Sequence, residues 1–303
     1  MTSGDLFAGW PEEARPRPVD PARRILIGTS GYSFADWVGP FYPPGTRSSD
    51  FLAYYARHFD AVEVNSTYYR VPHPRVLEMM EKKTPPGFRF VVKVNQAMTH
   101  ERSLEPPLVR DFLAVLEPLK SAGKYDGLLA QFPWGFKRTA ENESHLAALR
   151  QALPDEPLFV EFRHVSWATP GMEEWLRGHR LGFCAVDEPR LEGLMPPMTL
   201  LTSGDAYVRF HGRNARNWWG RRAPAEQPPG GGQGQIAERS RGSGDRYDYD
   251  YAAEELREWV QKVRELAERA RRTYLFFNNC HAGQAARSAK LMQELLRQQE
   301  LPA

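Results

Sequence analysis

The feature that most limits what this chain can become is a series of eight short apolar runs, at 25–29, 61–65, 88–94, 127–132, 158–163, 182–187, 206–211 and 274–278. Each is rich in β-branched or aromatic residues, and longer stretches with apolar residues three and four apart separate them. Short strands alternating with helical-period segments are the signature of βα units around a parallel sheet. Eight such runs are the number a closed (β/α) barrel needs. Helices are predicted over 50–59, 74–83, 106–122, 141–152, 171–178, 252–270 and 282–298, and the Pro-rich connection 188–204 reads as an irregular crossover without a helix. A length of 303 residues permits two domains, but runs spread over nearly all of it favour one α/β barrel over 24–299. Residues 1–23 read as a flexible N-terminal segment, and the Gly- and Arg-rich stretch 221–246 as a flexible insertion after the seventh strand.

Several classes are excluded early. No apolar stretch approaches the roughly 18 residues of a membrane span, and Cys184 and Cys280 form neither a disulfide framework nor a zinc spacing, which suits a reducing cytoplasm. Lys plus Arg number 40 against 38 Asp plus Glu, so duplex binding is not the default reading. Isolated glycines make no phosphate-loop or dinucleotide pattern.

Alternation within the strands then sorts side chains between barrel interior and helix layer. Because a charge cannot lie against apolar helices without a partner, Glu63, Asn65, Lys93, Gln131, Glu161, Arg163, Asp187, Arg209, His211 and Asn278 are assigned inward. All lie late in their strands. Cys184 is assigned to the helix side as inert core. Polar groups at the C-terminal rim of a barrel read as a site. Glu63, Glu161, Asp187 and His211 are the candidate catalytic groups. Asn65, Lys93, Gln131, Arg163, His164, Arg209 and Asn278 are candidate ligand contacts, joined by the loop aromatics Tyr32, Trp37, Tyr69 and Trp167. Three acids (Glu63, Glu161, Asp187) against three bases (Lys93, Arg163, Arg209) argue against a dedicated metal cluster and for anion recognition.

At this point the segments Gly28-Thr29-Ser30-Gly31-Tyr32, Val62-Glu63-Val64-Asn65-Ser66-Thr67-Tyr68-Tyr69, Gln131-Phe132-Pro133, Val160-Glu161-Phe162-Arg163-His164, Tyr207-Val208-Arg209-Phe210-His211-Gly212-Arg213 and Phe277-Asn278-Asn279 together resemble the DUF72, or YecE-like, family. The likeness runs from about residue 25 to residue 296. It implies a single TIM barrel of a family without an established activity, for which kinship to sugar isomerases and endonuclease IV-like barrels is suggested by fold. The leading expectation is a metal-independent enzyme, of isomerase or hydrolase type, acting on a phosphorylated or otherwise anionic, sugar-like small molecule. No cofactor or metal is expected. The alternatives are a nucleic-acid binding or processing protein that uses arginines of 213–246, and a ligand-binding protein without turnover.

Overall fold

The computed structural model describes residues 25–219 and 245–299. The eight runs form eight parallel strands: β1 (Ile25–Thr29), β2 (Ala61–Val64), β3 (Arg89–Lys93), β4 (Tyr125–Gln131), β5 (Leu158–Glu161), β6 (Gly182–Asp187), β7 (Ala206–Phe210) and β8 (Thr273–Phe277). Their order is β1-β8-β7-β6-β5-β4-β3-β2, and a parallel bridge between Ser30 and Glu63 brings β1 against β2 to close the ring. The chain is thus a (β/α)8 TIM-like barrel. Closure is tight at Gly28, where a Cβ would lie 2.0 Å from the Ala61 carbonyl oxygen, so the first two strands meet as bare backbone.

The helices between the strands are α1 (Phe51–Tyr55), α2 (Ser66–Tyr69), α3 (Arg75–Lys82), α4 (Gln96–Thr99), α5 (Pro106–Ser121), α6 (Ala140–Ala152), α7 (Met172–Gly178), α8 (Ala253–Arg269) and α9 (Gln284–Gln298). Helix α5 starts on Pro106 and Pro107, which lose nothing at positions whose N–H groups have no helical partner. The Thr139 hydroxyl accepts from the Asn142 N–H to begin α6. The long helices match their predicted spans closely, whereas 50–59 shortens to α1. Helices α2 and α4 carry too few residues to show a period, and both sit directly after strands, on the rim. Residues 188–204 contain no helix, as their prolines suggested. No helix among the described residues is long and apolar enough to cross a membrane. The segment 1–23 and nearly all of 221–246 lie outside the described residues.

The barrel interior is layered by the two-residue strand period. Phe159, Tyr207 and Tyr274 pack as an aromatic layer, with Phe159 and Tyr207 ring centroids 4.9 Å apart. Glu161 and Arg209 stand two residues further along β5 and β7, so the charged layer lies immediately above the aromatic one, toward the C-terminal rim.

Two orientations in β6 differ from the reading of the sequence. Asp187 faces the helix layer: its carboxylate accepts from Trp259 Nε1 of α8 at 2.6 Å, from the Tyr251 hydroxyl at 2.7 Å and from Arg213 Nη2 at 2.7 Å. Cys184 faces inward, its Sγ 3.8 Å from Glu161 Oε2. The rule that a buried charge avoids the helix layer gives way here because four donor groups satisfy the carboxylate there, Arg213 supplying two. Asp187 is therefore a structural node tying β6 to α8 and to the chain after β7, and it does not join the interior ring.

Candidate functional site

The centre of the charged layer is Arg209, one per cent exposed. It donates to Glu161 Oε2 at 2.6 Å, to Glu63 Oε1 at 2.7 Å and to Ser30 Oγ at 3.2 Å. The second Glu63 oxygen accepts from the Tyr207 hydroxyl at 2.7 Å. The second Glu161 oxygen lies 2.6 Å from Arg163 Nε and 3.2 Å from His211 Nε2. Burial alone would raise the Glu161 carboxyl, but Arg163, Arg209 and His211 outweigh it and hold it well below the usual carboxylate range. His211 is pushed down to about 3, by burial first and then by Arg163, so its ring is neutral at ordinary pH. Asn278 Nδ2 lies 3.1 Å from His211 Nδ1.

Above this layer opens a cleft of about 340 Å³, continuing into a deeper recess of about 100 Å³ lined by Asn65, Arg209 and Asn278. Its walls carry Lys93, Arg163 and Arg246, the amide of Gln131, the imidazole of His100, and the rings of Tyr68, Tyr69, Trp134, Trp218, Trp219 and Tyr247. No Asp or Glu is among the described residues lining either part. Glu63 and Glu161, both fully buried, lie beneath it, engaged by arginine.

Lys93, at the end of β3, reaches into this cleft. Its Nζ donates to Gln131 Oε1 at 2.9 Å and sits 4.1 Å from the centroid of the Tyr68 ring. Burial, and then the like charge of Arg209, pull it down to about 7, with Glu63 and Glu161 opposing. The Tyr68 hydroxyl lies 3.2 Å from His100 Nε2, and burial followed by Lys93 and Arg163 keeps His100 neutral, at about 4. Arg163 also donates to Glu188 Oε2 at 3.2 Å. Burial raises Glu188 to about 7 against the pull of Arg163.

The structure thus brings together Asn65, Tyr69, Lys93, Gln131, Arg163, Arg209 and Asn278 around one cleft, with Glu63, Glu161 and His211 beneath it. Others fall elsewhere. Trp37 is fully buried and donates to the Cys280 carbonyl at 2.6 Å. Trp167 stacks on Phe162 with centroids 4.0 Å apart and donates to the Phe136 carbonyl, so it is core. Tyr32 lines a separate groove with Leu52 and Met79. His164 caps a turn by accepting from the Ser166 N–H, while its ring lies 4.9 Å from that of Trp134, a cleft residue. Glu188 and Tyr247 were not singled out from the sequence. Had the β6 alternation been assigned from Cys184 inward, it would have pointed to Glu188; Tyr247 follows a long insertion and carries no local signal.

Among the described residues no group of three or more His, Cys, Asp or Glu is placed to hold a metal ion. Another cavity, of about 400 Å³, lies at the opposite end of the barrel with Arg150, Arg180 and Arg271 in its wall. Asp155, Glu156 and Asp205 share that wall, and Arg271 pairs with Asp205 at 2.7 Å, so its charge is mixed.

Residues 26–303 match the family model described as "Protein of unknown function DUF72". UPF0759 protein YunF of Bacillus subtilis is 32% identical over 284 residues, spanning 90% of this chain and 94% of that protein. UPF0759 protein YecE of Escherichia coli is 33% identical over 215 residues, 62% of this chain and 74% of that protein. A DUF72 family protein from Thermotoga maritima superposes with a TM-score of 0.78 at 39% identity, covering 91% of this chain and all (100%) of that one. One from Enterococcus faecalis gives 0.74 at 27% identity, covering 90% and 95%.

Proposed function

The chain belongs to the DUF72 family, and on that footing we propose that it is a metal-independent enzyme acting on a phosphorylated or otherwise anionic, carbohydrate-like small molecule in the C-terminal cleft. The observation that carries this reading is the composition of the wall: Lys93, Arg163 and Arg246 with aromatic rings, and no carboxylate among its described residues. Cations drawn together without lining acids leave positive potential for an incoming anion to neutralise. The acids that balance them are spent below: Glu63 and Glu161 hold Arg209 and Arg163 in place. Guanidiniums therefore occupy the carboxylate oxygens that a cation would need. Lys93 and Arg163 take the anion, Gln131, Asn65 and Asn278 meet hydroxyls, and the rings of Tyr69, Trp134 and Tyr247 cover apolar sugar faces. Lys93, poised near neutrality, is the group placed to exchange protons with a bound ligand.

A thermal-shift series tests this with sulfate, a sugar phosphate, the parent sugar, a divalent metal and a short single-stranded oligonucleotide. A ligand at about a hundred times its Kd adds about 2.7 kcal/mol of stability, a shift of several degrees. The sugar phosphate is expected to give it, sulfate less, and the parent sugar none. Stabilisation by the metal alone, or equally by the parent sugar, overturns the proposal. A steeply salt-dependent shift with the oligonucleotide alone favours a single-strand binder instead. That second reading draws on the exposure of Tyr69, Trp134 and Trp219 at the rim.

A further inference from the structure

Lys93 is set apart by what surrounds its amine. Among the described residues no carboxylate pairs with Nζ; Lys83, Lys137, Lys262 and Lys290 share that lack, but of these lysines Lys93 is the one in the cleft wall. Its acceptor is a neutral amide, Gln131 Oε1. The Tyr68 ring beneath it fixes the direction of the side chain, and the open cleft leaves room in front of it. Burial works first against its positive charge; from the other strands Arg209 and Arg163 oppose that charge as well, while Glu63 and Glu161 favour it. A lysine held in such company supplies free amine at neutral pH, the condition for nucleophilic attack on a carbonyl.

We propose that Lys93 forms a covalent imine with the carbonyl carbon of an anionic aldehyde or ketone held in the cleft. This rests on the anion-cleft reading and names the functional group of the ligand. In the step, the Nζ lone pair forms a C–N bond to the carbonyl carbon while the C=O π pair moves to oxygen, which takes a proton. The nitrogen gives up a proton, the hydroxyl takes another and leaves as water, and the nitrogen lone pair closes the C=N bond. One amine, one carbonyl and one net proton become a protonated imine and one water, with no change of oxidation state. The Tyr68–His100 pair, in the same cleft, relays the protons.

The test uses dihydroxyacetone phosphate as the carbonyl probe and glycerol 3-phosphate, which has the phosphate but no carbonyl, as its partner. With cyanoborohydride present and the probe saturating at each pH, intact-mass and peptide mapping are expected to show one reduced adduct of dihydroxyacetone phosphate, on Lys93, forming faster as pH rises through about 7. Glycerol 3-phosphate is expected to bind by calorimetry, leave no adduct, and protect Lys93 from the first probe. Lys93→Arg replaces the nucleophilic amine with a guanidinium and should abolish the adduct. If the variant fails to fold, the wild-type map decides alone. Adducts scattered over Lys82 and Lys137, or binding of both probes with none on Lys93, overturn the imine and leave the anion cleft standing. If neither probe binds, the anion cleft fails and the imine falls with it.

Discussion

The fully buried core of the site makes a quantitative prediction for Arg209→Met. The substitution keeps much of the side-chain volume and removes the charge that Glu63 and Glu161 share, at 2.7 and 2.6 Å. At an effective dielectric of about 20, each contact is worth roughly 6 kcal/mol of attraction, most of it cancelled by the cost of taking the ions out of water. What the variant exposes is therefore the penalty of the orphaned charge, about 3–5 kcal/mol. Glu161 retains Arg163, so Glu63, left with only the Tyr207 hydroxyl, bears most of it. At roughly 2–4 °C per kcal/mol for a chain of this class, Tm should fall by about 6–20 °C. Adding Glu63→Gln to Arg209→Met removes the orphaned charge and should recover about half of the loss, a coupling read by a double-mutant cycle in urea. A loss under about 1 kcal/mol, or no recovery in the double variant, would refute the charge-balanced layer.

Three further outcomes follow from the geometry. Asp187→Asn places an amide N–H among donors from Trp259, Tyr251 and Arg213 and should cost about 2–4 kcal/mol in urea unfolding while leaving the sulfate Kd unchanged. Sulfate does not titrate near neutrality, so its pH dependence reports the protein. As pH rises through about 7, Lys93 loses its charge and Glu188 gains one beside Arg163. Both changes weaken anion binding, so calorimetry should show affinity about tenfold or more lower at pH 8 than at pH 6, and a flat or rising profile contradicts the assignment. Trp134→Ala removes an exposed ring from the cleft wall. It should lower sugar-phosphate affinity by about 1 kcal/mol, with inorganic sulfate unaffected.

The barrel was legible because its strands obey a period of two and are bounded by long helices, which a single sequence displays. Most of the interior polar set was legible for the same reason: Glu63, Glu161, Arg209 and His211 alternate with valines and phenylalanines that must meet helices. What stayed hidden depended on contacts far along the chain. Asp187 is satisfied by residues 26, 64 and 72 positions away, so nothing near it shows that the helix layer would accept its charge. Trp37 and Trp167 sit in rim loops like Trp134 and Trp219 and are just as aromatic. Only packing, such as the stack of Trp167 on Phe162, separates core rings from cleft rings. The count of three interior acids against three bases does not hold, because it included Asp187; the vertical sorting, with Glu63 and Glu161 below and Lys93 and Arg163 in the cleft wall above, is a property of the folded barrel.

The most direct measurement is a crystal of the protein soaked in tungstate, with anomalous scattering used to locate the anion. The account predicts a peak in the C-terminal cleft, within about 4 Å of Lys93 Nζ and the Arg163 guanidinium. A peak only in the opposite cavity beside Arg150, Arg180 and Arg271, or no bound anion at all, would contradict it.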